Sequence, residues 1–97
     1  MPESRNHKQT AERLARKFKT NYNNGQGVDI KTSSKTIEVE TVNTVNDAKR
    51  QLQGHKGSVY IAGANNIATK VALGAVKGTT IGVMDSNGKI LKRSTRK

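Results

Sequence analysis

Three carboxylates fall within twelve residues of a strongly basic chain: Gly27-Val28-Asp29-Ile30, a short polar turn, then Ile37-Glu38-Val39-Glu40. Acids alternate with branched apolar residues in the second segment. On a strand, Glu38 and Glu40 therefore project from one face and Ile37 and Val39 from the other. If a hairpin sets Asp29 opposite them, the acids form one cluster, and like charges so close repel unless a divalent cation or a proton compensates. The chemistry this suggests is oxygen coordination of a divalent cation by Asp29, Glu38 and Glu40. The plainer uses of the same residues are a turn at a strand start for Asp29, and for the two glutamates the solvated face of an edge strand beside Lys31 and Lys35.

The elements that must position these acids follow from periodicity. Ala11, Leu14, Ala15 and Phe18 take the i, i+3, i+4, i+7 spacing of an amphipathic helix over Thr10–Lys19, and the Asn- and Gly-rich stretch from Asn21 to Gly27 ends it. Val28–Thr32 and Thr36–Val42 are β-branched runs separated by Ser33-Ser34-Lys35, which predicts an antiparallel pair. Thr44 with Asp47 three residues on predicts a capped second helix through Leu52, stopped by Gly54. The apolar run Val59-Tyr60-Ile61-Ala62 predicts a strand buried on both faces. Asn65 or Asn66 caps a third helix whose stripe is Ala68, Val71, Ala72 and Ala75. Thr79–Met84 and Lys89–Lys92 flank Asn87-Gly88, a type I′ hairpin signal, and Ser58 to Met84 reads as a parallel crossover. The expectation is an α/β (α+β) fold: a mixed sheet of about five strands flanked by three helices, in the order α-β-β-α-β-α-β-β.

With 97 residues, 32% of them hydrophobic, and no cysteine, the chain suits one modest core. The expected organisation is a single domain over 1–97, with 1–9 and 93–97 as flexible basic tails. The lack of cysteine excludes disulfides and thiolate chemistry and fits a reducing, cytoplasmic setting. No apolar run approaches the length of a bilayer span. Eighteen Lys and Arg against seven Asp and Glu give a net charge of +11, which favours a polyanionic partner. Aromatics are only Phe18, Tyr22 and Tyr60, so phosphate contact is better supported than base stacking. The same charge also suits a ribosome-associated or structural basic protein. No Gly-x-Ser-x-Gly elbow is present, and neither Gly54-x-x-Gly57 nor Gly74-x-x-x-Gly78 is followed by the Lys-Ser/Thr of a phosphate loop, which argues against serine hydrolases and nucleotide hydrolysis. His7 and His55 have no visible partner in the sequence.

From Thr10 to Leu91 the chain resembles the PD-(D/E)XK, or restriction-endonuclease-like, nuclease superfamily, most closely the branch of archaeal Holliday junction resolvases. Gly27-Val28-Asp29-Ile30 is similar to its first motif, Ile37-Glu38-Val39 to the start of its second, and Asp47-Ala48-Lys49-Arg50-Gln51-Leu52 to its glutamine-bearing helix. Glu12 stands where the family often has a helical acid, and Glu40 where it places a lysine. The resemblance implies a restriction-endonuclease-like core and Mg2+- or Mn2+-dependent phosphodiester hydrolysis of structured or branched DNA. Asp29, Glu38, Glu40 and Glu12 would be the metal ligands, and Lys31 or Lys49 would substitute for the missing lysine. Arg13, Lys17, Arg50, Gln51, Lys92 and Arg93 are the expected contacts to nucleic acid, DNA rather than RNA. A homodimer would double the footprint. The alternative within the same fold is a binding module without hydrolysis.

Overall fold

The computed structural model describes residues 5–20, 30–32, 34–53 and 57–95. The elements follow the order α1 (Arg5–Lys17), β1 (Ile30–Lys31), β2 (Lys35–Glu40), α2 (Val45–Gln53), β3 (Ser58–Gly63), α3 (Asn66–Ala75), β4 (Gly82–Met84) and β5 (Ile90–Lys92). The five strands form one sheet in sequential order. Its outer pairs, β1–β2 and β4–β5, are antiparallel. Its inner pairs, β2–β3 and β3–β4, are parallel, with α2 and α3 as the crossovers. The mixed sheet and its three helices agree with the periodicity, including the antiparallel pair about residues 32–35 and the parallel crossover from Ser58 to Met84.

The sheet separates two apolar layers. Ala11, Leu14 and Ala15 of α1 cover Ile30, Ile37, Val39, Tyr60, Ala62 and Met84. On the other face Val45, Ala48 and Leu52 of α2 and Ala72 and Val76 around α3 cover Val59, Ile61, Ile81 and Val83. Both crossover helices lie on one face, as crossovers of one hand stepping in one direction require. β3 contributes to both layers, Tyr60 and Ala62 to one and Val59 and Ile61 to the other, which is why its sequence is a continuous apolar run. β3 leads into α3 with little space between them. A Cβ on Gly63 would overlap Thr69 Oγ1 and its backbone, so only glycine allows this approach.

Several boundaries differ from the sequence expectations, each for a local reason. α1 begins at Arg5 rather than Thr10, so the predicted amino-terminal tail is partly helical. Lys8 and Gln9 are good helix formers but add nothing to an apolar stripe. The Thr44 hydroxyl turns back to accept the Thr41 N–H at 3.0 Å, while Asp47 pairs with Arg50 at 3.1 Å. In α3 the Asn65 side chain caps Ala68 N–H at 2.8 Å, but Val71 is 39% exposed and Thr69 takes the buried place beside Ala68 and Ala72.

The β4–β5 connection is not type I′. Gly88 N–H bonds to Asp85 O, the Asp85 carboxylate accepts the N–H groups of Asn87 and Lys89, and of the Asn-Gly pair only Gly88 has positive φ. The acid at position 85 thus sets the turn one residue earlier, with glycine in the left-handed place that follows. Residues 94 and 95 are also held to the sheet. Ser94 Oγ donates to Thr80 O at 2.9 Å, and Thr95 N–H donates to the same carbonyl at 3.0 Å. Among the described residues no helix is long and apolar enough to cross a membrane.

α1 closes with two bonds from the residues that follow it. Lys19 N–H reaches Arg16 O at 3.2 Å, Thr20 N–H reaches Ala15 O at 2.8 Å, and Lys19 sits at φ 55°. This is a Schellman ending with lysine where glycine is preferred. The left-handed conformation costs a non-glycine residue roughly 1–2 kcal/mol, offset in part by the 0.3–1 kcal/mol that a cation gains at a helix carboxyl end. Lys19→Gly is therefore expected to raise stability by about 0.5–1 kcal/mol, read as a higher urea midpoint; an unchanged or lower midpoint would contradict this account of the helix end.

Candidate acidic site and its cationic surroundings

The alternation along β2 places Ile37 and Val39 in the layer under α1. Glu38 and Glu40 therefore face the other side. Their ladder partners on β3 are Ile61 and Gly63, and Ile61 belongs to the layer beneath α2 and α3. The two glutamates are 6% and 7% exposed. This removes the edge-strand reading, because β2 lies between β1 and β3 and its acids are not on a solvated face. Two carboxylates two residues apart on one buried face are costly unless cations, donors or protons compensate them. Both residues, through side chain or backbone, take part in interactions within the protein.

Lys31 stands opposite Thr36 on the ladder, so it shares the sheet face of Glu38, one diagonal step along β2 and within reach of a long side chain. Lys31 is exposed. Lys49 and Gln51 fall within α2, the helix packed on this same face, and their side chains lie outside the described residues. Asp29 also lies outside them. Glu12 is exposed on α1, which covers the opposite face of the sheet. Among the described residues no group of three or more His, Asp or Glu comes together around a metal position. The structure thus joins Glu38, Glu40 and Lys31 on one face and does not bring Glu12 to them.

The cations expected to contact nucleic acid divide by their partners. Arg13 Nη1 donates to Ser86 O at 3.1 Å and Asn87 Oδ1 at 3.4 Å, and Lys17 Nζ donates to Asn87 O at 3.0 Å, so both fasten α1 to the β4–β5 turn. Lys92 Nζ donates to the carbonyls of Thr79 and Ile81, holding the approach to β4. Arg50 is exposed and paired with Asp47; with the two side chains 78% and 65% exposed, that contact holds the guanidinium weakly. Arg93 is exposed.

Where the β1–β2 turn meets the start of β3, a hollow of about 130 Å³ is lined by Lys31, Thr32, Ser34, Lys35, Thr36, Gly57 and Ser58. Its signal in the sequence is the run Lys31-Thr32-Ser33-Ser34-Lys35-Thr36, hydroxyls between two lysines, which reads locally as turn chemistry. Compared with protein-family models, curated proteins and solved structures, the chain matches none.

The burial of Glu38 has a consequence for stability. Glu38→Ala removes a buried side chain from the face it shares with Ile61 and is expected to cost about 1–3 kcal/mol, whereas Glu38→Gln keeps shape and one carbonyl and is expected to cost less. Urea unfolding of the two variants checks this; equal, negligible losses would show that the side chain is not part of the packed structure.

Proposed function

We propose that this protein binds the phosphate backbone of DNA and is a metal-dependent nuclease-like protein whose acidic pair is Glu38 and Glu40. The observation that carries the reading is the burial of two carboxylates side by side on one strand face of a chain with net charge +11. A costly arrangement of this kind, in a protein with so few acids, favours a functional use over a surface one.

The donor set fits Mg2+ or Mn2+. Both prefer oxygen ligands, and Mg2+ in particular is commonly held by one or two carboxylates with water and substrate phosphate completing the shell, so a third protein acid near Glu38 and Glu40 is not required. Asp29 supplies one in the restriction-endonuclease-like reading. The bound metal would supply an activated water and charge stabilisation at the phosphate. Glu38 and Glu40 would hold it, and Lys31, on the same sheet face, would offset charge at the phosphate as the lysine absent from position 40 would. Topology supports the reading at the level of plan: an antiparallel pair whose second strand bears the Glu-x-Glu, followed by a helix and a parallel strand.

A second reading, binding without hydrolysis, is favoured by Glu40 at the lysine position and by the lysine- and hydroxyl-lined hollow. Incubation of branched, nicked, single-stranded and linear DNA with Mn2+, beside the Glu38→Gln protein, separates the two. Cleavage by the wild type and none by Glu38→Gln, with DNA binding retained, is the expected result. Binding that falls steeply with salt but no cleavage by either protein would leave the binding module. Equal cleavage by both would remove Glu38 from the chemistry.

A further inference from the structure

We propose that the hollow between the β1–β2 turn and the start of β3 binds a single phosphate group of a nucleic-acid backbone. Its lining residues include Lys31, with its exposed ammonium, and the hydroxyl-bearing Thr32, Ser34, Thr36 and Ser58, and there is no carboxylate among them. Such a set offers positive charge and donors to a group that has only acceptors and negative charge. At about 130 Å³ it lies well below the roughly 300–1,000 Å³ of sites that enclose a drug-sized ligand. No aromatic ring lines it, so it suits a phosphate rather than a nucleobase.

The hollow is built before any ligand arrives. Thr32 Oγ1 accepts the N–H groups of Ser34 at 3.2 Å and Lys35 at 3.0 Å, and Thr32 N–H donates to Lys35 O at 2.9 Å, which fixes the turn. The Lys35 ammonium lies 5.3 Å from the Phe18 ring centroid and 5.9 Å from that of Tyr60, on the α1 side of the sheet, so this residue lines the hollow with its backbone and stem and leaves the cationic role to Lys31. Lys31 remains exposed and able to close on the anion.

Thr36 and Glu38 share a sheet face two residues apart, about 7 Å along the strand. A backbone phosphate held in the hollow would set a neighbouring linkage beside the carboxylates. That part of the inference rests on the nuclease-like reading; phosphate binding itself does not.

The test is an amide-shift titration of the whole protein with inorganic phosphate, then with a short oligothymidylate, on wild type, Lys31→Gln and Ser34→Asp. Saturable shifts at Thr32, Ser34, Thr36 and Ser58 in the wild type are expected with both probes. Lys31→Gln should weaken oligonucleotide binding about tenfold at low salt and lower the magnitude of its log–log salt slope by about 1. Ser34→Asp, which sets a carboxylate at the rim, should abolish the phosphate shifts. Shifts spread over all cationic residues without saturation, or wild-type binding and salt slope in both variants, would overturn the site even if DNA is bound and cleaved elsewhere. Saturable phosphate shifts without any cleavage would support the hollow while the hydrolytic reading failed.

Discussion

Side-chain alternation along β2 obliges one short strand to serve two different environments, and the rest of the structure is arranged around that division. Ile37 and Val39 need an apolar cover, which α1 supplies; Glu38 and Glu40 come to lie against the layer formed by α2 and α3. A one-residue slip in register would exchange these faces, placing the acids beneath Leu14 and the isoleucine and valine on the α2–α3 side. The hairpin partner Ile30 opposite Ile37 and the parallel partner Ile61 beside Glu38 hold the strand against such a slip from both sides. Whatever the acidic pair does, its direction is set by the apolar residues between its members.

The charge of the chain is spent in more than one way. Arg13, Lys17 and Lys92 satisfy backbone carbonyls, and Lys35 lies over two aromatic rings, so part of the cationic excess belongs to the architecture. Net charge in a sequence therefore overstates the number of cations facing a partner. The distinction is one of geometry. An ammonium held by two carbonyls is oriented inward, whereas Lys31 and Arg93 are exposed. A polyanion would meet the second kind first.

Long-period and alternating patterns made most of the fold legible. Ala11, Leu14 and Ala15 announced α1, the apolar run at Val59–Ala62 announced a strand covered on both sides, and the alternation at 37–40 announced the division of β2. Boundaries were less legible because they depend on polar bonds without periodicity, such as the Asp85 carboxylate that moves the final turn and the Thr44 hydroxyl that turns toward Thr41. The burial of Glu38 and Glu40 was not readable either. Alternating acids look the same on an edge strand and on an inner one, and only the sheet order distinguishes them. The hollow near Thr36 needs Gly57 and Ser58 from across the parallel ladder, a juxtaposition that no local motif encodes.

The fastening of α1 to the β4–β5 turn joins residues seventy or more positions apart, through Arg13 with Ser86 and Asn87 and Lys17 with Asn87. Gly88 lies so close beneath that a Cβ there would come within 2.8 Å of Lys17 and 3.0 Å of Leu14. Much of the seat of α1 is near in sequence, the Ile30, Ile37 and Val39 side chains of β1 and β2, so the helix can be covered before this long-range fastening forms. Closing so wide a separation is slow, which makes the β4–β5 hairpin the part expected to dock late against a helix already resting on the other edge of the sheet.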